Sequence, residues 1–555
     1  MAQAVTPSRR SLFGAAACGV VVATTGMTRA GLRDDSGPTL ALVLPVAHTT
    51  HGAVQGITRG GVHSFKGIPY ADAPVGNYRF LRAPPLTRWE GRRNAFNYGP
   101  ICPQSAVSQD EAQSEWSFLI QKGPVTVQSE DCLRINVWTP GLSDGGKRPI
   151  MLWLHPNGFM SGSGHEYLAS DGANLAATQD VVVASINHRV GVMGHLHLAD
   201  IGGTNFDDSG NAGMLDIIDA LTWLGENAET FGGDPGNITV FGQSGGGSKT
   251  TVLMAMPQAK GLFHKAISQS GFGLKVHSPA SAHALAHATM RSLGSLEGDV
   301  STLQTAPASR LVEASLAAWY AIRRSDPDNP PSAYWQPVSG VPSLPAQPFA
   351  DTAPEQARDI PMMVMSVRNE SSPSIDAPEN EALTWDEVRS RLAAQIGDVA
   401  GPAVEVTRQV YPSATPLDTL SIIQGRTFRI AARDLCERKA EQGGAPVYKA
   451  QFAWDTPVFS GRPRAFHTSD IPFVFNNTDL CDQATGGVDA ARRLAATMSA
   501  AWARFARTGN PNGPGLSSWK PFNQVQRSTM VFSDRCQQTD DPAYEIDQVF
   551  RRLIR

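Results

Sequence analysis

Short apolar runs alternate with helical patterns through the middle of this 555-residue chain. Residues 149–154 and 181–187 are continuous apolar runs, the pattern of strands that are buried on both faces of a sheet. Residues 215–229 carry apolar side chains at helical spacing, and a β-branched run follows at 238–241. This alternation predicts the α/β class, with a mostly parallel sheet covered by helices on both faces.

The segments before and after this region extend the pattern. Residues 52–65 alternate between apolar and polar positions, which predicts an antiparallel hairpin that turns at Arg59-Gly60-Gly61. Later apolar runs at 361–366 and 447–452 predict further core strands. Residues 490–507 predict a helix that docks near the C-terminus.

Between these later strands the pattern loosens into alanine-rich helices and proline-rich loops. We interpret residues 271–360 and 370–440, approximately, as segments inserted over the sheet, where they form a cap. No internal repeat and no linker divides residues 31–555. The sequence therefore predicts one domain over this range.

The stretch from Asn237 to Thr250, NITVFGQSGGGSKT, combines a strand, a tight turn and the start of a helix. Ser244 lies in the turn, within Gly242-Gln-Ser-Gly-Gly246. A glycine-rich turn alone is usually only a turn. A strand before it and a helix after it are the context of a nucleophile elbow, in which the turn lifts a serine hydroxyl clear of the sheet. We therefore interpret Ser244 as a catalytic nucleophile.

Composition narrows the range of partners. Hydrophobic residues make up 41% and charged residues 18%, which is ordinary for a globular protein, and 47 basic against 51 acidic residues give a net charge of −4. No basic stripe indicates nucleic acid, and no Cys/His cluster indicates a metal. We expect a small-molecule substrate and no cofactor, and the sequence leaves the oligomeric state open.

The first thirty residues resemble a bacterial twin-arginine signal peptide. Ser8-Arg9-Arg10-Ser11-Leu12-Phe13 precedes a mildly apolar core and a short polar end at Ala30. The apolar run is too short and too rich in glycine and threonine to span a bilayer stably. We expect cleavage near Ala30 and export to the periplasm or the exterior; an ordinary disordered or single-pass N-terminus is the alternative.

Several separate stretches resemble one family. They are FKGIPYADAPVGNYRF, SEDCLRINVWTP, GNAGMLDIIDALTWLGENAETFGGDPGNITVFGQSGG, KAISQSG and FHTSDIPFVF, in family order from about residue 50 to beyond 500. The chain is similar to the type B carboxylesterases of the α/β-hydrolase fold, which also include the cholinesterases. The resemblance implies a large, mostly parallel sheet, a cap over the active site and a serine esterase activity.

The resemblance also places the partners of Ser244. It implies that Glu370, in SVRNES, is the orienting acid and that His467, in AFHTSDIPFVF, is the base. This gives the chain order Ser, acid, His of the fold. Alone, Glu370 would be a solvated loop carboxylate and His467 a histidine that caps a turn. Asp470 is the carboxylate closest in sequence to His467, and we interpret it as structural.

The oxyanion hole is where the chain departs from the family. The family's HGGGF is His155-Pro156-Asn157-Gly158-Phe159 here. The resemblance implies N–H donors at Asn157, Gly158 and Gly245, each worth about 3 kcal/mol of transition-state stabilisation. Pro156 replaces a glycine that donates nothing, but Asn157 must hold a conformation usually left to glycine. Its amide is expected near the acyl site.

Other positions follow from the same resemblance. Gln243 replaces the usual glutamate before the nucleophile, and Ser270 is expected to hydrogen-bond around the acid and base. Further implied pairs are a disulfide between Cys102 and Cys132 and a buried ion pair between Arg79 and Glu130. No pairing is predicted for three cysteines: Cys436, Cys481 and Cys536.

These observations predict a secreted serine carboxylesterase that forms an acyl-enzyme and hydrolyses bulky natural-product or xenobiotic esters. An amidase, thioesterase or carbamate hydrolase with the same triad is an alternative. A non-catalytic binding protein on the same fold is another, and the altered oxyanion turn would be its first sign. We interpret four basic residues as solvated surface: Lys249, Lys275, Arg323 and Arg324.

Overall fold

The computed structural model describes residues 44–105, 113–124, 127–295, 299–325 and 335–553, so the predicted signal peptide lies outside the described residues. Within these ranges, eleven strands form one mixed sheet and three form a small sheet. In chain order the strands are β1 Val46–Thr49, β2 Gly52–Gln55, β3 Ile57–Arg59, β4 Val62–Pro69, β5 Arg92–Asn94, β6 Arg134–Thr139, β7 Arg148–Leu154, β8 Val182–Asn187, β9 Gly233–Gln243, β10 Lys265–Gln269, β11 Met362–Val367, β12 Val447–Phe452, β13 Ser528–Phe532 and β14 Gln537–Asp540.

The α-helices of the described ranges lie mainly between and after these strands. They are α1 Glu115–Ile120, α2 Ala173–Gln179, α3 Gly191–His195, α4 Ala199–Gly202, α5 Ala212–Glu226, α6 Gly245–Leu253, α7 Pro279–Leu293, α8 Val300–Thr305, α9 Ala308–Ser325, α10 Trp385–Ile396, α11 Ala400–Val410, α12 Pro416–Gln424, α13 Arg426–Glu441, α14 Ile471–Val474, α15 Asp482–Thr485, α16 Asp489–Thr508 and α17 Tyr544–Leu553. None of them is long and apolar enough to cross a membrane.

The large sheet has the order β3-β4-β6-β8-β7-β9-β10-β11-β12-β13-β14. In this order, the seven strands from β8 through β7 to β13 run parallel to one another. Antiparallel strands form both edges of the sheet. The expectation of a mostly parallel sheet in an α/β-hydrolase fold is confirmed. The chain passes from β7 to β8 on one side and then returns to β9 on the other, so β7 and β9 flank a topological switch point. Ligands of open α/β sheets bind at the carboxyl ends of the strands beside such a point.

The two faces of the sheet bury separate apolar layers. In β7, Ile150 and Leu152 belong to the layer that includes α5, whereas Met151 and Trp153 belong to the layer that includes α16. Alternation along a strand sends successive side chains to opposite faces, so a continuous apolar run is required where helices cover both. This arrangement explains why β7 is apolar at every position from 149 to 154.

The observed boundaries lie close to the predicted ones. The hairpin is β3 and β4, with its turn at Gly60 and Gly61. The predicted helix at 215–229 is α5 and begins three residues earlier, at Ala212. The nucleophile segment forms α6, which ends at Leu253. Helix α16 exceeds the predicted 490–507 by one residue at each end.

The two segments interpreted as insertions are largely helical. Residues 271–360 contain α7, α8 and α9, and residues 370–440 contain α10, α11, α12 and most of α13. The ion pair implied by the resemblance is present, since Arg79 Nε donates to Glu130 at 2.8 Å. Arg79 also donates to the main-chain oxygens of Leu303 and Ala306, at 2.8 and 2.7 Å. The pair therefore holds the end of α8.

The implied disulfide is not present. Cys102 and Cys132 are free, buried thiols, and Cys102 Sγ accepts a hydrogen bond from the Val190 N–H at 3.4 Å. The hydrogen bond with the Cys102 thiol, together with burial, raises the pKa of the Cys132 thiol. A thiolate is needed to form a disulfide by exchange, and this environment disfavours it. Three further free cysteines are Cys436, Cys481 and Cys536.

Candidate active site

Ser244 occupies a strained turn between β9 and α6. Its backbone has φ 53° and ψ −120°, a conformation that L-residues rarely adopt. The turn is so tight that a Cβ on Gly246 would lie 1.9 Å from the Leu154 oxygen. The Ser244 N–H donates to the Gln269 oxygen at 2.7 Å, and its side chain is partly exposed between buried neighbours. This is the geometry of a nucleophile elbow.

Glu370 and His467 lie in loops that follow β11 and β12, at the carboxyl ends of the parallel strands. An isolated bridge between Asn369 and Phe466 brings the two loops side by side. His467 Nδ1 lies 2.6 Å from Glu370 Oε2. The Glu370 side chain is fully buried and that of His467 is 19% exposed, so the carboxylate is shielded while the ring reaches toward solvent.

The Glu370 carboxylate is held in place by two further donors. Its Oε1 accepts from Ser270 Oγ at 2.7 Å and from the Val367 N–H at 2.9 Å. One oxygen is thus fixed by the residue after β10 and by the end of β11, while the other faces the imidazole. A carboxylate held in this way keeps the Nδ1–H tautomer of His467, which leaves Nε2 to accept a proton. Ser270 therefore bonds the acid, as the resemblance implied.

The other nitrogen of His467 contacts Gln243. Gln243 Nε2 lies 3.3 Å from His467 Nε2, and no hydrogen bond joins Ser244 Oγ to His467 within the described ranges. Catalytic hydrogen bonds are often long in ligand-free sites and tighten when substrate binds. The contact with His467 is a feature that the replacement of glutamate by glutamine did not predict.

Asp470 contacts a different partner. It is fully buried, and its Oδ2 accepts from Gln269 Nε2 at 2.6 Å, while Gln269 Oε1 accepts from Trp502 Nε1 at 3.0 Å. Burial raises the pKa of Asp470 to about 6. Of the two carboxylates near His467, Glu370 makes the direct hydrogen bond, so Asp470 occupies the structural position expected for it.

Three backbone N–H groups lie in segments that approach one another next to Ser244. Asn157 and Gly158 both have left-handed backbones, with φ 63° and 61°. The main chain of Gly245 approaches Gly158 so closely that a Cβ on Gly245 would lie 2.3 Å from the Gly158 nitrogen. Within the described ranges, none of the N–H groups of Asn157, Gly158 and Gly245 donates to a protein acceptor. They can therefore bind an oxyanion formed at Ser244.

The Asn157 side chain, whose amide was expected near the acyl site, has two hydrogen-bond partners. Its Nδ2 donates to Glu166 Oε1 at 2.6 Å and to the Tyr167 hydroxyl at 3.2 Å. The amide is thus engaged by the segment that follows the oxyanion turn. Asparagine supplies both the left-handed backbone and a side-chain anchor, whereas glycine would supply only the first.

Lys249 is the principal residue that sequence analysis misplaced. It is fully buried rather than solvated, and its Nζ donates to the His155 main-chain oxygen at 2.9 Å. Burial lowers the pKa of Lys249 to about 7, and the negative charge of Glu166 partly opposes this shift. Helical spacing could have located it, because Lys249 follows Gly245 by four residues and so lies on the same face of α6.

The buried lysine predicts a pH-dependent stability. Between about pH 7 and 10.5 the unfolded chain binds the Lys249 proton and the native state does not, so stability rises with pH by about 1.4 kcal/mol per unit. We expect the free energy of unfolding of wild type minus that of Lys249→Met to be flat below pH 6 and to rise at this slope between pH 7 and 9.

Urea denaturation across this pH range measures the difference. Three neighbouring histidines do not obscure it, because burial lowers the pKa of each: His155, His188 and His195. The matched control is Lys275→Met, which removes an exposed lysine. A difference that stayed constant from pH 6 to 9 would contradict the prediction.

Comparison with known proteins assigns the family. The model of the carboxylesterase family matches residues 44–548, which is most of the chain. The chain belongs to the carboxylesterase family. Members of this family are serine carboxylic-ester hydrolases, so this chain is an enzyme of that class. The predicted family and enzyme class are confirmed.

Individual relatives agree with this assignment. The chain is 33% identical to a para-nitrobenzyl esterase of Bacillus subtilis, over 90% of this chain and 97% of the relative. It is 32% identical to a phenmedipham hydrolase of Pseudarthrobacter oxydans, over 88% of this chain and 95% of the relative. A crystal structure of a Geobacillus stearothermophilus carboxylesterase superposes with a TM-score of 0.75 at 33% identity, covering 91% of this chain and 99% of that one.

A second solved structure comes from Clostridium hathewayi. This esterase superposes with a TM-score of 0.79 at 30% identity, covering 92% of this chain and all of that one, and it is described as hydrolysing aliphatic aromatic polyesters. Within the described ranges of our chain, no group of three histidine, cysteine, aspartate or glutamate residues is arranged to hold a metal ion.

Proposed function

We propose that this carboxylesterase hydrolyses esters through an acyl-enzyme on Ser244. The observation that carries the proposal is the 2.6 Å contact between Glu370 and His467, made at the edge of the sheet where Ser244 sits in its strained turn. A serine hydroxyl is a weak nucleophile until a base takes its proton, and an imidazole is an efficient base once a carboxylate orients it.

The proposed reaction proceeds in two stages. His467 takes the Ser244 proton as the hydroxyl oxygen attacks the ester carbonyl, and the protonated imidazole then gives that proton to the leaving alcohol. Water next attacks the acyl-enzyme with His467 again as base, which releases the acid and restores Ser244. In both stages the N–H groups of Asn157, Gly158 and Gly245 stabilise the tetrahedral oxyanion.

We further propose bulky natural-product or xenobiotic esters as substrates. Support comes from the relatives, whose names refer to para-nitrobenzyl esters, phenmedipham and aromatic polyesters. The helical segments at 271–360 and 370–440 are the proposed cap that forms the acyl and alcohol pockets. One contact supports this role: the Phe428 ring of α13 packs against the His467 ring at a centroid distance of 5.3 Å.

Export is the remaining part of the proposal. Its support is the paired-arginine sequence at residues 9 and 10 with the apolar core that follows. Cell fractionation of a tagged full-length chain, beside Arg9→Lys with Arg10→Lys, tests it. We expect the wild-type enzyme outside the cytoplasm and the double variant retained within it; equal distribution of the two would refute this route.

The reaction itself is tested with matched chromogenic substrates. The chain from residue 31 is assayed with p-nitrophenyl acetate and butyrate, with the corresponding anilide and with a thioester. We expect a pre-steady-state burst of one p-nitrophenol per active site and faster turnover of the ester than of the anilide. A preferred anilide or thioester would reassign the reaction class, and folded protein without any turnover would favour a binding protein.

A further inference from the structure

Two ionisable side chains contact the oxyanion turn formed by residues 155–158: Lys249, which is fully buried, and Glu166, which is half-buried. Lys249 reaches the turn from α6 and donates to the main-chain oxygen of His155 at 2.9 Å. Glu166 reaches it from the segment beyond and accepts from the Asn157 side chain at 2.6 Å. One contact is made at the first residue of the turn and the other beside the two N–H donors.

The Glu166 carboxylate lies close to the first residue of this turn. A Cβ on Gly162 would lie 2.6 Å from His155 Nδ1 and 2.7 Å from Glu166 Oε2, so both atoms border the same small space. Glu166 Oε2 is buried and makes no hydrogen bond within the described ranges, and no carboxylate lies within ion-pair distance of Lys249 there. Burial of Lys249 without a close carboxylate lowers the stability of the fold, so stability alone does not explain its position.

We propose that Lys249 and Glu166 are positioning residues for the oxyanion hole, which clamp the turn from both ends so that the N–H groups of Asn157 and Gly158 face Ser244. The inference rests on the proposed function. The glycines of the family turn are absent at two positions here, and Asn157 holds φ 63°. The side-chain contacts offset the strain of that backbone. A glycine at this position would adopt the same backbone without strain and would not require such contacts.

Loss of either contact should affect the transition state more than the bound substrate. The oxyanion exists only in the tetrahedral intermediate, so a misplaced donor lowers kcat while KM stays nearly constant. We expect Glu166→Ala and Lys249→Met each to lower kcat for p-nitrophenyl butyrate by about 10- to 100-fold, with KM within about threefold. A trifluoromethyl ketone, whose adduct with Ser244 carries an oxyanion, should bind more weakly by the same factor.

A conservative variant and a double-mutant cycle separate positioning from general stability. Glu166→Gln keeps an oxygen that accepts from Asn157, so it should restore kcat to within about threefold of wild type. Asn157→Gly removes the amide that Glu166 binds, and glycine adopts the left-handed backbone without strain. Adding Glu166→Ala to Asn157→Gly should cause no further loss, because the two side chains act through one contact. The exposed Glu313→Ala is the matched control.

Hydrogen exchange provides a measurement that needs no catalysis. Peptides covering residues 157–160 should exchange faster in Glu166→Ala and Lys249→Met than in wild type, with unchanged exchange in distant strands such as β12. Unchanged exchange in both variants, or a lowered melting temperature with unchanged kcat, would overturn the clamp. Failure of the proposed function is distinct: wild type would then hydrolyse esters no faster than Ser244→Ala, while the exchange experiment would still decide the clamp.

Discussion

Ser244→Ala is expected to lower kcat for p-nitrophenyl butyrate by about 10⁶-fold, to the residual rate that binding and the oxyanion donors provide. The substitution removes the nucleophile and leaves the turn intact, since alanine has no larger side chain than serine. Adding His467→Ala should cost almost nothing more, because base and nucleophile act as a unit. Steady-state assays of the single and double variants measure both effects.

Covalent labelling identifies the reacting residue independently of turnover. A fluorophosphonate should add once to wild type, on the peptide that contains Ser244, and not at all to Ser244→Ala. The matched control is Ser248→Ala, one turn further along α6, which should keep both labelling and activity. Substantial esterase activity in Ser244→Ala would exclude this serine as the nucleophile.

Glu370→Gln is expected to lower kcat by about 10⁴-fold. Glutamine fits the same space but can donate its amide hydrogen to His467 Nδ1. This favours the tautomer with the proton on Nε2, which cannot accept one from Ser244. Asp470→Asn is the matched control, and we expect kcat within about tenfold of wild type because Asp470 bonds Gln269 rather than His467.

Both variants are compared with wild type by kcat and by the melting temperature. A loss of 10⁴-fold in Asp470→Asn with activity retained in Glu370→Gln would transfer the orienting role to Asp470. Equal large losses in both would show that the acid function is shared across the buried group of Glu370, Gln269 and Asp470. Similar melting temperatures in the two variants exclude unfolding as the cause.

The fold was predictable because its information is local in the chain. A continuous apolar run such as 149–154 predicts a strand that is buried on both faces. The glycines around Ser244, between a strand and a helix, predict a tight turn. Parallel strands bring their carboxyl ends to one edge, so loops after β9, β11 and β12 meet whatever their separation along the chain. The loops that carry Ser244, Glu370 and His467 therefore meet, but only the family resemblance singled out Glu370 and His467 among the residues of these loops.

The parts that sequence analysis missed depend on contacts between distant segments. Lys249 is buried and donates to the His155 carbonyl, which follows β7, although lysine is exposed in most proteins. Gln243 contacts His467 across 224 residues of sequence, and the Asn157 amide contacts Glu166 across turns whose conformations the sequence pattern does not specify. Cys102 and Cys132 meet as predicted, but their proximity does not determine their oxidation state.

The Arg79 guanidinium has a consequence for the order of folding. Its ion pair with Glu130 lies within the first part of the chain to be synthesised, whereas Leu303, whose carbonyl it also binds, follows 224 residues later. Both partners of the ion pair are therefore synthesised before α8, so α8 can dock onto an ion pair that has already formed. Synthesis from the N-terminus thus makes the binding partner of α8 before α8 itself.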